Sequence, residues 1–68
     1  GSELDALKII AEEGGNTVTQ VVSRRMGIGT DYARILCNSL GRADYIDLTA
    51  QGQCILTDKG RQLLDKQK

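Results

Sequence analysis

The chain has 68 residues, enough for one domain, and a chain this short buries only about 60% of the surface its unfolded form exposes. With no Trp, no Phe and two Tyr, its core has to come from Leu, Ile, Val and Ala, which suits short packed helices and excludes an aromatic-rich sandwich. The formal net charge is zero and no apolar run approaches the roughly 18 residues of a bilayer span, so the sequence reads as soluble and cytoplasmic, without a membrane partner. Gly1-Ser2, with no initiator Met, reads as a cloning remnant, which leaves residues 3–68 as the domain, whether whole or excised from a longer protein.

In residues 3–13, Leu4, Leu7, Ile10 and Ala11 recur at helical spacing behind Ser2 as an N-cap, and Gly14-Gly15-Asn16 ends this first helix. Thr17 and Val18 favour strand but are too few for more than a short bridge. Thr19 is placed to cap a second helix running to about Arg25. Met26-Gly27-Ile28-Gly29 interrupts it. Thr30 then caps a third helix through Leu40, with Asp31 in its first turn. On a 100° wheel its apolar stripe is Ala33, Leu36, Cys37 and Leu40, and the opposite face carries Asp31, Ile35, Asn38 and Arg42, flanked by Arg34. Residues 45–48 and 54–56 read as strands joined by residues 49–53 into a hairpin, and Thr57 caps a last helix whose Leu63 and Leu64 fold back on the core. The fold class is therefore α+β and mostly α. There is no repeat, linker or low-complexity stretch.

Cys37 and Cys54 have no second Cys beside them and the chain has no His, so no zinc-ligand spacing is present and no metal or other cofactor is expected. Both fall on apolar registers and read as buried free thiols, with a disulfide as the alternative. No nucleophile stands beside a base and no loop cradles phosphate; Gly27-Ile28-Gly29 is a turn, not a nucleotide fingerprint, so no enzyme is expected. Zero net charge counts against nucleic acid, because phosphate neutralisation supplies much of that affinity. The charge is nevertheless polarised by segment. Residues 1–13 carry Glu3, Asp5, Glu12 and Glu13 against Lys8, whereas residues 24–42 carry Arg24, Arg25, Arg34 and Arg42 against Asp31 alone.

The order helix, bridge, helix, turn, helix, hairpin, helix resembles the winged helix-turn-helix DNA-binding domains of bacterial and archaeal transcriptional regulators. In residues 19–38, Gly27 fits the left-handed turn, Val22 and Met26 are the anchors before it, and Ile28, Ala33 and Leu36 follow at the family's offsets. Ser23 stands at the close helix approach, where the family prefers Ala. Further on, Cys54-Ile55-Leu56-Thr57-Asp58-Lys59-Gly60 is similar to the family's strand-then-helix "L-T-x-K-G" signature, and Leu63 and Leu64 continue it. Asp44 departs from the pattern, since many relatives carry Gly where the third helix turns into the strand. The resemblance covers nearly all of residues 3–66 and implies a three-helix core, a β-hairpin wing and a C-terminal helix.

It also implies sequence-specific binding of double-stranded DNA with the third helix in the major groove. Arg34 would then reach guanine, Asn38 adenine and Ile35 a thymine methyl. Thr30 and Tyr32 would meet phosphate, with Asp31 on the same face, and Arg24, Arg25 and Arg42 would hold the backbone. Asp31 lies one turn before Arg34, so pairing between them competes with base reading. The wing offers Gln51 and Gln53 but no cation, which makes it a weak contact or none. The rival reading is a winged helix used for protein docking, favoured by the zero net charge, the uncharged wing and Ile35 in the middle of the outward face. A homodimer, or other domains of a longer parent, are further expected partners.

Overall fold

In the computed structural model residues 1–67 are described, and Lys68, the last residue of the expected domain, lies outside them. Among the described residues the order is α1 (Ser2–Glu12), β1 (Asn16–Val18), α2 (Thr19–Met26), α3 (Thr30–Arg42), β2 (Ile46–Leu48), β3 (Gln53–Leu56) and α4 (Asp58–Lys66). The protein is thus a small α+β domain, mostly helical, with four helices and one three-stranded antiparallel sheet among these residues. No helix among them is long and apolar enough to cross a membrane.

The core is one cluster drawn from nearly every element. α1 contributes Ala6, Leu7 and Ile10, α2 Val22, and α3 Ala33, Leu36, Cys37 and Leu40; Ile46 and Cys54 close it from the sheet. The α3 residues are the stripe expected from its periodicity, and Ile35 on the opposite face is 61% exposed. Leu63 and Leu64 of α4 pack against the cluster half-buried, so the last helix does fold back.

The sheet order is β1-β3-β2, with Thr17 opposite Cys54 on one side and Leu48 opposite Cys54 on the other. The expected bridge at Thr17-Val18 is therefore a third strand, paired with residues far along the chain. That pairing changes how α2 begins. Val18 is extended at φ −126° and ψ 160°, so it is the residue before the helix, and Thr19 is already helical and buried. The Thr19 amide donates to the Gly52 carbonyl at 3.0 Å, so hairpin backbone satisfies one of the free amide donors that open the helix. The expected cap at Thr19 is corrected accordingly. Ser2 and Thr30 are likewise inside their helices, behind Gly1 and Gly29, and neither α1 nor α3 has a side-chain cap bond. Only Thr57 caps as expected, accepting from the Gly60 amide at 3.1 Å.

Gly27 takes φ 69° and ψ 35°, the left-handed conformation that lets the chain reverse between α2 and α3. Ser23 explains itself here. Its hydroxyl donates to the Ile28 carbonyl at 2.6 Å while the Ile28 amide donates to the Ser23 carbonyl at 3.1 Å, which clasps the turn from both sides.

The segment from Thr57 to Gly60 latches α4 onto the turn after α3. The Thr57 hydroxyl donates to the Asp44 carbonyl at 2.6 Å, and Lys59 Nζ donates to the Ala43 carbonyl at 2.9 Å and lies 5.1 Å from the centre of the Tyr45 ring. A cation at the carboxyl end of α3 also meets the negative end of its dipole. Asp44 itself sits at φ 66°, a left-handed position without glycine. A Cβ there costs up to about 1–2 kcal/mol, less for Asp, and the unfolded-state entropy of a new glycine offsets part of any gain. Asp44→Gly is expected to stabilise the domain by about 0.5 kcal/mol, seen as a melting temperature a few degrees higher.

Candidate functional site

The outward face of α3 borders an open groove. Arg34 and Asn38 of α3 form one wall, Thr19 and Gln20 at the start of α2 form its end, and Leu48 with Thr49, Ala50, Gln51 and Gly52 of the hairpin forms the other wall. The tip is tied by Gly52 N–H to Thr49 O, Thr49 N–H to Gln53 O, and Gln53 N–H to Thr49 Oγ1, each at 3.0 Å. A second shallow depression continues along α3, between Asn38, Gly41 and Arg42 on one side and Ile46, Asp47 and Leu48 on the other. Asn38 belongs to both.

Arg34, Asn38, Arg42 and Gln51 thus share one continuous surface. Gln20 and Arg24 are four residues apart on α2 and so share one side of that helix. Asp47 faces the same depression as Arg42, an acid that the sequence had not connected with it. Thr19, Gln20 and residues 48–50 are also new to this surface. Their proximity depends on the hairpin folding over the start of α2, which no local pattern announces.

Two expected site residues are placed elsewhere. The Arg25 guanidinium is bound to Glu12 at 2.6 Å and to Glu13 at 3.1 Å, at the end of α1. The hydrogen bond to Glu12 is the main reason its pKa is raised above the ordinary arginine value, with Glu13 adding to it. These exposed ion pairs compete with the backbone contact expected of Arg25. Gln53 belongs to β3 rather than to the loop, its side-chain amide donates to Asn16 Oδ1 at 2.8 Å, and it is not among the residues that line the groove.

Thr30, Asp31 and Tyr32 are exposed in the first turn of α3. Tyr32 lies on the shoulder opposite Arg34, 46% exposed, and Ile35 stands between the two shoulders. Ser39, near Tyr32 on the wheel, donates its hydroxyl to Glu3 of α1, so that shoulder faces acid and the Arg34 shoulder faces the hairpin. Charge is thus uneven over the surface, with Glu3, Asp5 and Glu12 on α1 and Glu13 just after it, and with Arg34 and Arg42 along the groove, where Asp47 also lies.

No family model, curated protein or solved structure matches the chain.

Proposed function

We propose that the chain is a winged helix-turn-helix domain that binds double-stranded DNA as part of a transcriptional regulator, with α3 in the major groove and β2 and β3 as the wing. The carrying observation is that Arg34 and Asn38, the side chains suited to guanine and adenine edges, line one groove with the start of α2 and the hairpin tip. Arg42 extends the same surface, and with Arg24, on the Gln20 side of α2, it would supply the phosphate contacts that zero net charge leaves scarce. The first-turn amides of α3, without a side-chain cap, add donors beside Thr30, although Asp31 there opposes an anion. Gln51, the polar residue at the wing tip, carries no charge, so most of the affinity falls to the helices.

A second reading, protein docking, is favoured by Tyr32 and Ile35, which put apolar surface on the face that would meet DNA. Titration with mixed-sequence duplex at low salt separates the two. Amide shifts are expected in α3, at Thr19 and Gln20, and around the hairpin tip, with little change in α1. Uniformly small shifts would sink the DNA reading.

Three arginine variants sharpen the test once a preferred site has been selected. Arg34→Ala is expected to cost about 1–3 kcal/mol on that site and little on random duplex, the mark of a lost base contact. Arg24→Ala should weaken both duplexes alike and lower the salt slope by about one. Arg25→Ala should leave binding nearly unchanged, because Glu12 and Glu13 already hold that charge. Equal losses on both duplexes for Arg34→Ala would make it a backbone contact.

A further inference from the structure

Where α3 crosses the sheet, two thiols meet inside the core. Cys37 and Cys54 are free and fully buried, 17 positions apart in sequence, with their sulfurs 3.7 Å from each other. We propose that this pair is a redox clamp, forming a reversible intramolecular disulfide that bonds α3 to β3.

The donor set around the pair favours a disulfide over a metal. Bond formation draws the sulfurs from contact distance to about 2.0 Å, a contraction that a close-packed interior accommodates more readily than expansion. No group of three or more His, Cys, Asp or Glu side chains able to hold a metal exists among the described residues, so a third ligand is missing.

The pair is chemically unequal. Cys54 donates its S–H to Cys37 Sγ, which favours the Cys37 thiolate and holds its pKa below the ordinary thiol value against the opposing effect of burial. The same bond, together with burial, pushes the Cys54 thiol up. Cys37 is therefore the attacking sulfur. With hydrogen peroxide as oxidant, its thiolate bonds one peroxide oxygen, the O–O bond breaks, and the departing hydroxide takes a proton to leave as water. The Cys54 sulfur then attacks the resulting sulfenic acid and gives up its proton, the S–O bond breaks, and a second water leaves. Two electrons and two thiol hydrogens pass to the peroxide. A dithiol reductant reverses the linkage by exchange.

Because neither sulfur is exposed, peroxide reaches them only when the core opens, and the oxidation rate follows the opening equilibrium. Once formed, the bond pins α3, which carries Arg34 and Asn38, to the strand that ends the hairpin. The groove width is then fixed.

The test uses the full chain, oxidised with hydrogen peroxide in buffer and in mild urea, then unfolded with N-ethylmaleimide and weighed intact. The expected product is a monomer with neither maleimide label, its two cysteines lighter by two hydrogens and without added oxygen, any single oxygen gained being located on Met26 by peptide mapping. It should form faster in urea. Its melting temperature should rise by about 10 °C and return after dithiothreitol. Cys37→Ala and Cys54→Ala should each abolish the mass loss, and the unmutated chain decides the matter even if a variant does not fold. Both labels retained after oxidation in urea, oxygen retained on a single cysteine, or a covalent dimer in place of the monomeric product would overturn the proposal. None of these readouts depends on DNA binding.

Discussion

Leu40→Ala is expected to destabilise the domain by about 2–5 kcal/mol, enough to leave much of the population unfolded at physiological temperature. Leu40 is 2% exposed and belongs to the core cluster built from α1, α2, α3 and the sheet. It also borders the seam where Leu4 of α1, Tyr45 and Leu63 of α4 come together, so truncation opens space among elements that cannot all collapse inward at once. A chain of 68 residues has only a few kcal/mol to lose. The control lies on the same helix. Ile35, 61% exposed, should tolerate Ala within about 0.5 kcal/mol. Thermal melts of the two variants should differ by on the order of 10 °C or more. Matching melting temperatures would mean that α3 presents its faces the other way round.

Gly60→Ala is the second large effect, and its sign runs against helix propensity. Ala exceeds Gly in a helix interior by about 1 kcal/mol, and Gly60 lies within α4. A Cβ at Gly60, however, would stand 2.2 Å from the Tyr45 carbonyl oxygen and 2.8 Å from Leu56 Cδ1. The first of these is backbone and cannot swing aside. α4 would have to lift from the turn after α3, straining the bonds from Thr57 to Asp44 and from Lys59 to Ala43. Overpacking of this kind costs about 1–3 kcal/mol or more, so net destabilisation is expected in urea denaturation. Gly41 in α3 supplies the contrast. Its Cβ would meet Leu48 Cβ at 3.6 Å, ordinary contact, so Gly41→Ala should be neutral or stabilising by up to about 1 kcal/mol. If Gly60→Ala also stabilised the domain, the close approach of α4 to Tyr45 would be wrong.

The close approach at Gly60 gives a physical meaning to the run Leu56-Thr57-Asp58-Lys59-Gly60, which the sequence presented only as a resemblance. Thr57 caps α4 and holds Asp44, Lys59 reaches Ala43, and Gly60 leaves room for Tyr45. Each residue type answers a different local demand. The same turn also holds Asp44 in the left-handed region, a conformation that glycine adopts at less cost.

What the sequence determined by itself is what depends on neighbours within a few positions. The helical spacing of Ala33, Leu36, Cys37 and Leu40 names the buried face of α3 because adjacent turns stack. Gly27 marks a left-handed turn because other residues resist it, and Thr57 before Asp58 marks a helix start because its hydroxyl reaches an amide three residues on. The tertiary structure decided the rest. A three-residue strand has no period to read, and β1 exists because Thr17 meets Cys54, 37 positions later. Caps legible at Ser2, Thr19 and Thr30 went unused because a preceding residue took the cap position, at α2 because β1 runs straight into the helix. The four arginines of the basic segment look equivalent in sequence, yet the crossing of α1 and α2 hands Arg25 to Glu12 and Glu13 and leaves Arg34 and Arg42 along the hairpin. Long side chains choose their partners by where helices cross, and the crossings arise from burial shared across the whole chain.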